Sequence, residues 1–226
     1  MFQKELKYAV IFISVLMLCL PGFLSHAQTA KHVVVIDAAH GGEDSGVIGI
    51  DKAAEKDVTL AIALALQKEL STQSNLDIIL TRTSDKTLSV DERRKIILNL
   101  KPALILSLHA NAGFGKASSG YELYYPGFKG VPAPAKSAKA VNAENQYLGD
   151  SVKLARLVQK NLDGLFPRKG RGLREATVPL AEGLSLPVLT VELGFMTNPD
   201  EKKKLTSGKT QIEIAKALAR SIKSFF

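Results

Sequence analysis

The sequence predicts an α/β fold in which a central mixed, mostly parallel sheet is flanked by helices on both sides. Two observations carry this. Short apolar runs alternate with segments of helical period from about residue 30 to the end. The runs are also apolar almost without interruption, as in strands covered on both faces. His32 to Asp37 (HVVVID) reads as a first buried strand, and Lys56 to Leu70 as a helix, with Val58, Ile62, Ala65, Leu66 and Glu69 at helical spacing. Leu76 to Thr81 is a second strand. Ser89-Val90-Asp91-Glu92 is a capping box that opens a helix running to about Leu100, and Pro102 closes it. Ala103 to Leu108 and Tyr121 to Tyr125 are further strands. Gly149 to Leu165 is helical, Pro187 to Leu193 a last buried strand, and Thr210 to Phe225 a closing helix.

The segment Gly127 to Asn145 has no clear period and is long for a connection in a compact domain. It reads as a surface loop or as a lid over a site. No internal repeat is visible, so residues 28–226 are expected to form one domain.

The 226 residues carry 30 Lys and Arg against 22 Asp and Glu, with four His and one Cys. So few His and Cys exclude Cys-rich zinc modules, disulfide scaffolds and iron–sulfur clusters. The formal net charge of +8 suggests an anionic partner without choosing among nucleic acid, lipid surface and wall polymer.

The head of the chain is different. Of the first 27 residues, 18 are apolar. Lys4 and Lys7 precede the run Ala9 to Leu20, Pro21-Gly22 break it, and Ser25 and Ala27 place small residues before Gln28. This predicts a signal peptide over residues 1–27. An uncleaved anchor is the weaker reading, because about 20 apolar residues are needed to span a bilayer. Lipid attachment at Cys19 is disfavoured by the bulky Leu18 before it. Cleavage would remove the only cysteine and leave 28 cations against 21 anions, a net +7. The mature chain would then have no thiol nucleophile and no sulfur ligand. It is expected in a periplasm or outside the cell, with no stable membrane anchor.

The chemistry gathers at strand ends. His40 follows the first strand, His109 the third, and Glu192 stands at the end of the last. In α/β sheets the carboxyl ends of the strands line the ligand crevice. Two imidazoles need a third hard ligand to hold zinc and leave a position open. Glu43, in His40-x-x-Glu43, and Glu55, at the start of a helix, both qualify, and spacing does not decide between them.

His40-Gly41-Gly42, Glu55-Lys56-Asp57, Thr81-Arg82-Thr83, Ser107-Leu108-His109-Ala110-Asn111 and Val191-Glu192-Leu193-Gly194-Phe195-Met196-Thr197-Asn198 occur in that order. Together with Arg171-Gly172-Leu173-Arg174 they resemble the zinc-dependent N-acetylmuramoyl-L-alanine amidase family, of the AmiC-like, type 3 kind. The resemblance implies a phosphorylase/hydrolase-like fold and a single zinc ion held by His40, Glu55 and His109. It implies Glu192 as the catalytic carboxylate, with Asn111 and Arg174 as substrate-binding residues. The implied substrate is the amide joining the lactyl group of N-acetylmuramic acid to L-alanine in peptidoglycan. Ala143-Glu144-Asn145 resembles a pattern in the family's regulatory insertion, here about 126–149. That suggests Glu144 as a resting-state ligand and an activator protein acting on the insertion. One departure is visible: the family's Asp-Pro-Gly-His turn is Asp37-Ala38-Ala39-His40 here, so no preset turn shapes the backbone before His40.

Three other readings stand beside it. A zinc carboxypeptidase would use His40-x-x-Glu43 with His109. An inactive wall-binding domain would need no metal. A nucleic-acid binder would explain the charge, but it conflicts with export and lacks a basic–aromatic motif. The chain is expected to be a monomer.

Overall fold

The computed structural model describes residues 30–114, 117–127 and 138–226, with side chains from residue 145 onward in the last stretch. The expected signal segment, 1–27, lies outside the described residues. Residues 31–226 form one compact unit.

Strand β1 (His32–Ala38) is followed by α1 (Glu55–Leu70), β2 (Leu76–Leu80), α2 (Val90–Leu100) and β3 (Leu104–Asn111). Then come β4 (Tyr121–Pro126), α3 (Ala138–Leu165), β5 (Gly170–Ala176), β6 (Val188–Phe195), α4 (Pro199–Leu205) and α5 (Gly208–Phe225). The six strands make one sheet in the order β2-β1-β3-β6-β4-β5. All neighbours are parallel except β4 and β6, which run antiparallel.

The predicted elements are present, with corrected edges. β3 and β6 each continue past their expected ends, so His109 lies within its strand rather than after it, while Glu192 lies inside β6 as expected. Helix α3 is present from Ala138, so the end of the segment expected to be irregular is helical. Strand β5 and the short α4 were not expected. β5 is an edge strand, GRGLREA, with no apolar alternation to announce it.

The two faces of the sheet are covered unequally. Val34, Ile36, Leu104, Leu106, Leu189 and Val191 face a large core completed by side chains of α1, α3 and α5. On the other face Val35, Ile105 and Val188 meet a smaller cluster, Ile97 and Leu100 of α2 with the turn around Leu180–Leu184 and its flanking Val178 and Leu186. Each fully buried aliphatic side chain stabilises the fold by about 1.5–3 kcal/mol. Most of that stabilisation therefore sits on the three-helix face, while the α2 face keeps room for a groove. The capping box of α2 is formed: the Ser89 hydroxyl accepts from the Glu92 amide at 3.2 Å, and Glu92 Oε2 accepts from the Ser89 amide at 2.8 Å.

Candidate active site

His40 lies two residues beyond β1 in the left-handed region, at φ 61°, and Gly41 and Gly42 after it also have positive φ. A non-glycine residue there costs about 1 kcal/mol or more. Two buried guanidinium groups compensate. Arg82 donates to the carbonyls of Ala38 at 2.9 Å and Ala39 at 3.0 Å. Arg93 donates to those of Ala38 at 2.7 Å and His40 at 2.5 Å, and pairs with Asp37 at 2.7 Å. This clamp shapes the turn without the proline and glycine that usually preset it.

Glu55, the first residue of α1, is 2% exposed. Its Oε2 accepts from the Val47 amide at 2.9 Å and lies 3.1 Å from His40 Nε2. Its Oε1 accepts from the Ala110 amide at 2.9 Å and lies 3.1 Å from His109 Nδ1. One donor atom from each of His40, Glu55 and His109 falls within 4.8 Å of the others. On the far side of the ring, His40 Nδ1 is 2.8 Å from Asp44 Oδ2, which turns Nε2 toward Glu55. The hydrogen bond to Glu55 outweighs burial and raises the His40 imidazole to about 9. Burial pushes the Glu55 carboxyl upward, but its bonds to His109 and His40 prevail and hold it well below the usual range.

This donor set fits a divalent metal. Two imidazoles and a carboxylate suit zinc and leave coordination positions open. Gly46 keeps the space clear: a Cβ there would lie 2.6 Å from both Glu55 Oε2 and the His40 ring.

Beside the cluster the sheet is polar along one row. Asp37, Ser107, Thr190, Tyr124 and Arg174 are successive register partners across β1, β3, β6, β4 and β5. The next row places Glu192 between His109 of β3 and Glu122 of β4. A groove of about 570 Å³ opens over these rows. Asp37, Ser107, Thr190 and Tyr124 lie along its floor with His40, His109 and Glu192, and Leu88, Val90, Val178 and Leu180 contribute apolar lining.

Glu192 Oε2 is buried and has no hydrogen-bond partner among the described residues. Burial foremost, with His109 opposing and the Glu55 and Glu122 carboxylates adding, raises this carboxyl to about 7. A buried carboxyl poised near neutrality, one strand from the His109 imidazole, can exchange a proton with a bound reactant.

A family profile for N-acetylmuramoyl-L-alanine amidases matches residues 34–224, almost the whole described chain. The chain belongs to that family. AmiC, the N-acetylmuramoyl-L-alanine amidase of Escherichia coli O6:H1, is 26% identical over 86% of this chain, which spans 52% of AmiC's own length. The amidase AmiC2 of Nostoc punctiforme superposes with a TM-score of 0.72 at 29% identity, covering 87% of this chain and 97% of its own. The CwlD amidase of Clostridioides difficile, solved in complex with the GerS lipoprotein, gives 0.73 at 26% identity over 86% of this chain and 98% of its own.

Within this amidase site the structure sorts the residues named from the sequence. His40, Glu55 and His109 come together, and Glu192 stands beside them. Glu43 is exposed and outside the cluster, and its backbone amide donates to Thr87 Oγ1 at 3.0 Å. Asn111 and Arg174 both turn to Glu122: the Asn111 amide donates at 2.8 Å, and an Arg174 guanidinium nitrogen lies 3.5 Å away. The Glu144 side chain falls outside the described residues. Sequence reasoning missed Asp44, Gly46, Arg93, Glu122, Tyr124 and Thr190 as parts of the site. For Thr190 a signal existed: a polar residue two positions before Glu192 in an apolar strand must share its face.

Proposed function

We propose that this chain is a zinc-dependent peptidoglycan hydrolase that cleaves the amide between N-acetylmuramic acid and L-alanine. His40, Glu55 and His109 would hold the metal. Bound zinc supplies Lewis-acid polarisation and brings water within reach of deprotonation at neutral pH. Glu192 Oε2 takes the proton from the attacking water and delivers it to the nitrogen of the departing alanine. The observation that carries this is the unpartnered Glu192 oxygen beside the His109 row, a buried acceptor with nothing else to serve. Asp44 fixes the His40 tautomer, and the apolar groove wall limits competing water.

Export with removal of residues 1–27 belongs to the same reading. Among the described residues no helix is long and apolar enough to cross a membrane. A protein activator is supported by the CwlD relative, whose solved structure holds a lipoprotein partner. A resting-state contact from Glu144 to the metal remains part of the proposal.

Incubation with purified peptidoglycan, followed by mass analysis, tests the activity. Released stem peptides beginning with L-alanine are expected. Single amino acids would indicate a carboxypeptidase, and the absence of products a binding domain. Glu192→Gln should keep one zinc per chain by elemental analysis and lower turnover about 10²- to 10⁴-fold. Undiminished turnover in the metal-loaded variant would remove Glu192 from the mechanism.

A further inference from the structure

We propose that the outer face of α3 and α5 docks reversibly on the anionic headgroups of a phospholipid bilayer, with the catalytic groove turned away from the membrane. This surface is independent of the reaction assigned above, and it gives the positive charge of the chain a place and a partner.

Helical period builds the face. On α3, Lys153, Arg156 and Lys160 follow at spacings of three and four, and on α5 Lys216, Arg220 and Lys223 at four and three. Residues so spaced share one side of a helix. Five of the six are exposed, and Lys216 is half-buried. The two stripes lie side by side. Asn161 of α3 donates to Ser221 Oγ of α5 at 3.0 Å and accepts from Arg220 Nε at 3.2 Å. Lys153 Nζ donates to the Phe225 carbonyl at 3.0 Å. Each stripe is about 10 Å long, and packed helices lie about 8–10 Å apart. Neighbouring cations therefore stand within roughly one Debye length and act on an anion together.

Opposing charge is scarce. From residue 145 onward the two helices hold three carboxylates, Asp150, Asp163 and Glu213. Asp150 is half-buried, Asp163 accepts from the Tyr121 hydroxyl at 2.5 Å, and Glu213 lies 3.5 Å from Lys216. Among the described residues no carboxylate pairs with the other five cations.

Two features single out a bilayer among polyanions. Apolar side chains stand at the basic face: Ile212, four residues before Lys216, is 46% exposed, and Phe226, just after α5, is 37% exposed. Cations around exposed Ile and Phe suit a surface that rests at a headgroup boundary. The other feature is where the chain enters. His32 stacks on Phe226 with ring centroids 4.5 Å apart, and Phe226 meets Phe225 edge-on at 5.1 Å. Lys153 Nζ sits 4.6 Å from the centre of the Phe225 ring. Of the first 27 residues, which precede this corner in the chain, 18 are apolar. An export segment there would deliver the domain to the bilayer at the edge of the basic face. The groove lies on the α2 face of the sheet, whereas α3 and α5 cover the opposite one. A domain held by these helices presents its groove outward.

The test is co-sedimentation of the exported chain, freed of residues 1–27, with vesicles of phosphatidylcholine alone or with phosphatidylglycerol mixed in. Binding is expected only with the anionic lipid and should fall as salt rises. Arg156, Lys160 and Lys223 bond to no other described side chain or carbonyl, so changing all three to Gln should leave the melting temperature unaltered. Each cation near an anionic surface is worth about fivefold in binding, so Arg156→Gln, Lys160→Gln and Lys223→Gln together should weaken it about a hundredfold. Removing the same charge from other exposed positions, by Lys52→Gln, Lys95→Gln and Lys101→Gln, should leave vesicle binding as it was. No binding to either vesicle, equal binding to both, or an equal loss in the two triple variants overturns the docking surface. So does retention by purified peptidoglycan through Arg156, Lys160 and Lys223 without vesicle binding, which would move the partner to the wall. Vesicle binding is read without turnover, so its outcome is separate from that of the amidase assay.

Discussion

Asp44 shows how much of the site depends on residues outside the His40, Glu55 and His109 cluster. Its carboxylate holds His40 Nδ1 at 2.8 Å and so presents the opposite nitrogen to Glu55. Removing a partner of this kind costs roughly 10- to 100-fold in metal affinity. Asp44 is 60% exposed, which places Asp44→Ala at the low end, about tenfold weaker for zinc. Competition against a chromophoric chelator measures it, and unchanged affinity would assign Asp44 to the surface. None of this was legible in the sequence. Asp44 follows His40 at a spacing any loop could show, and only the left-handed turn at His40 brings the two together. Arg93 is the same kind of case: it lies 53 residues beyond the carbonyl of His40 that it holds.

At the scale of elements, legibility follows the strength of the local pattern. Helix α2 announced itself through Ser89 and Glu92, and both capping bonds are present. Ser89→Ala should therefore lower stability by about 1 kcal/mol, read as a shifted midpoint in urea with unchanged slope. No shift would mean that Arg93 and Ile97 alone hold the helix in place. Strand β5 lies at the other extreme. Its two glycines and two arginines supply no apolar face, and its strand character comes from pairing with β4. Helix α4 had a readable start, since Asn198 caps it and Pro199 follows at the first position. Its seven residues are too few for a helical period to show. The length of β3 was underestimated because the polar residues His109 and Asn111 interrupt its apolar run, and that interruption is part of the site, whereas β6 runs on through Gly194 to Phe195.

For the whole molecule, the sequence pattern was sufficient for the α/β class and for the large core, where apolar residues recur on the inner faces. It could not reveal that one face of the sheet is covered by three helices and the other chiefly by α2. The groove owes its existence to that inequality, and its floor and its rim have different origins. Ser107, Thr190 and Tyr124 belong to strands inside the sheet, whereas His40 and Gly46 belong to the connection between β1 and α1. That connection is held by local turn and side-chain bonds rather than by a strand ladder, such as the Gly49 amide to the Ala53 carbonyl at 2.8 Å and the Val47 amide to Glu55. The enzyme should consequently come apart in two steps. In deuterated solvent the strand amides of the floor should exchange only through global unfolding, while those of residues 42–53 exchange through local opening. Zinc should slow exchange in the connection and leave the floor unchanged at the earliest times. A zinc ion held as proposed by His40, Glu55 and His109 could then leave and return many times without once unfolding the floor of the groove.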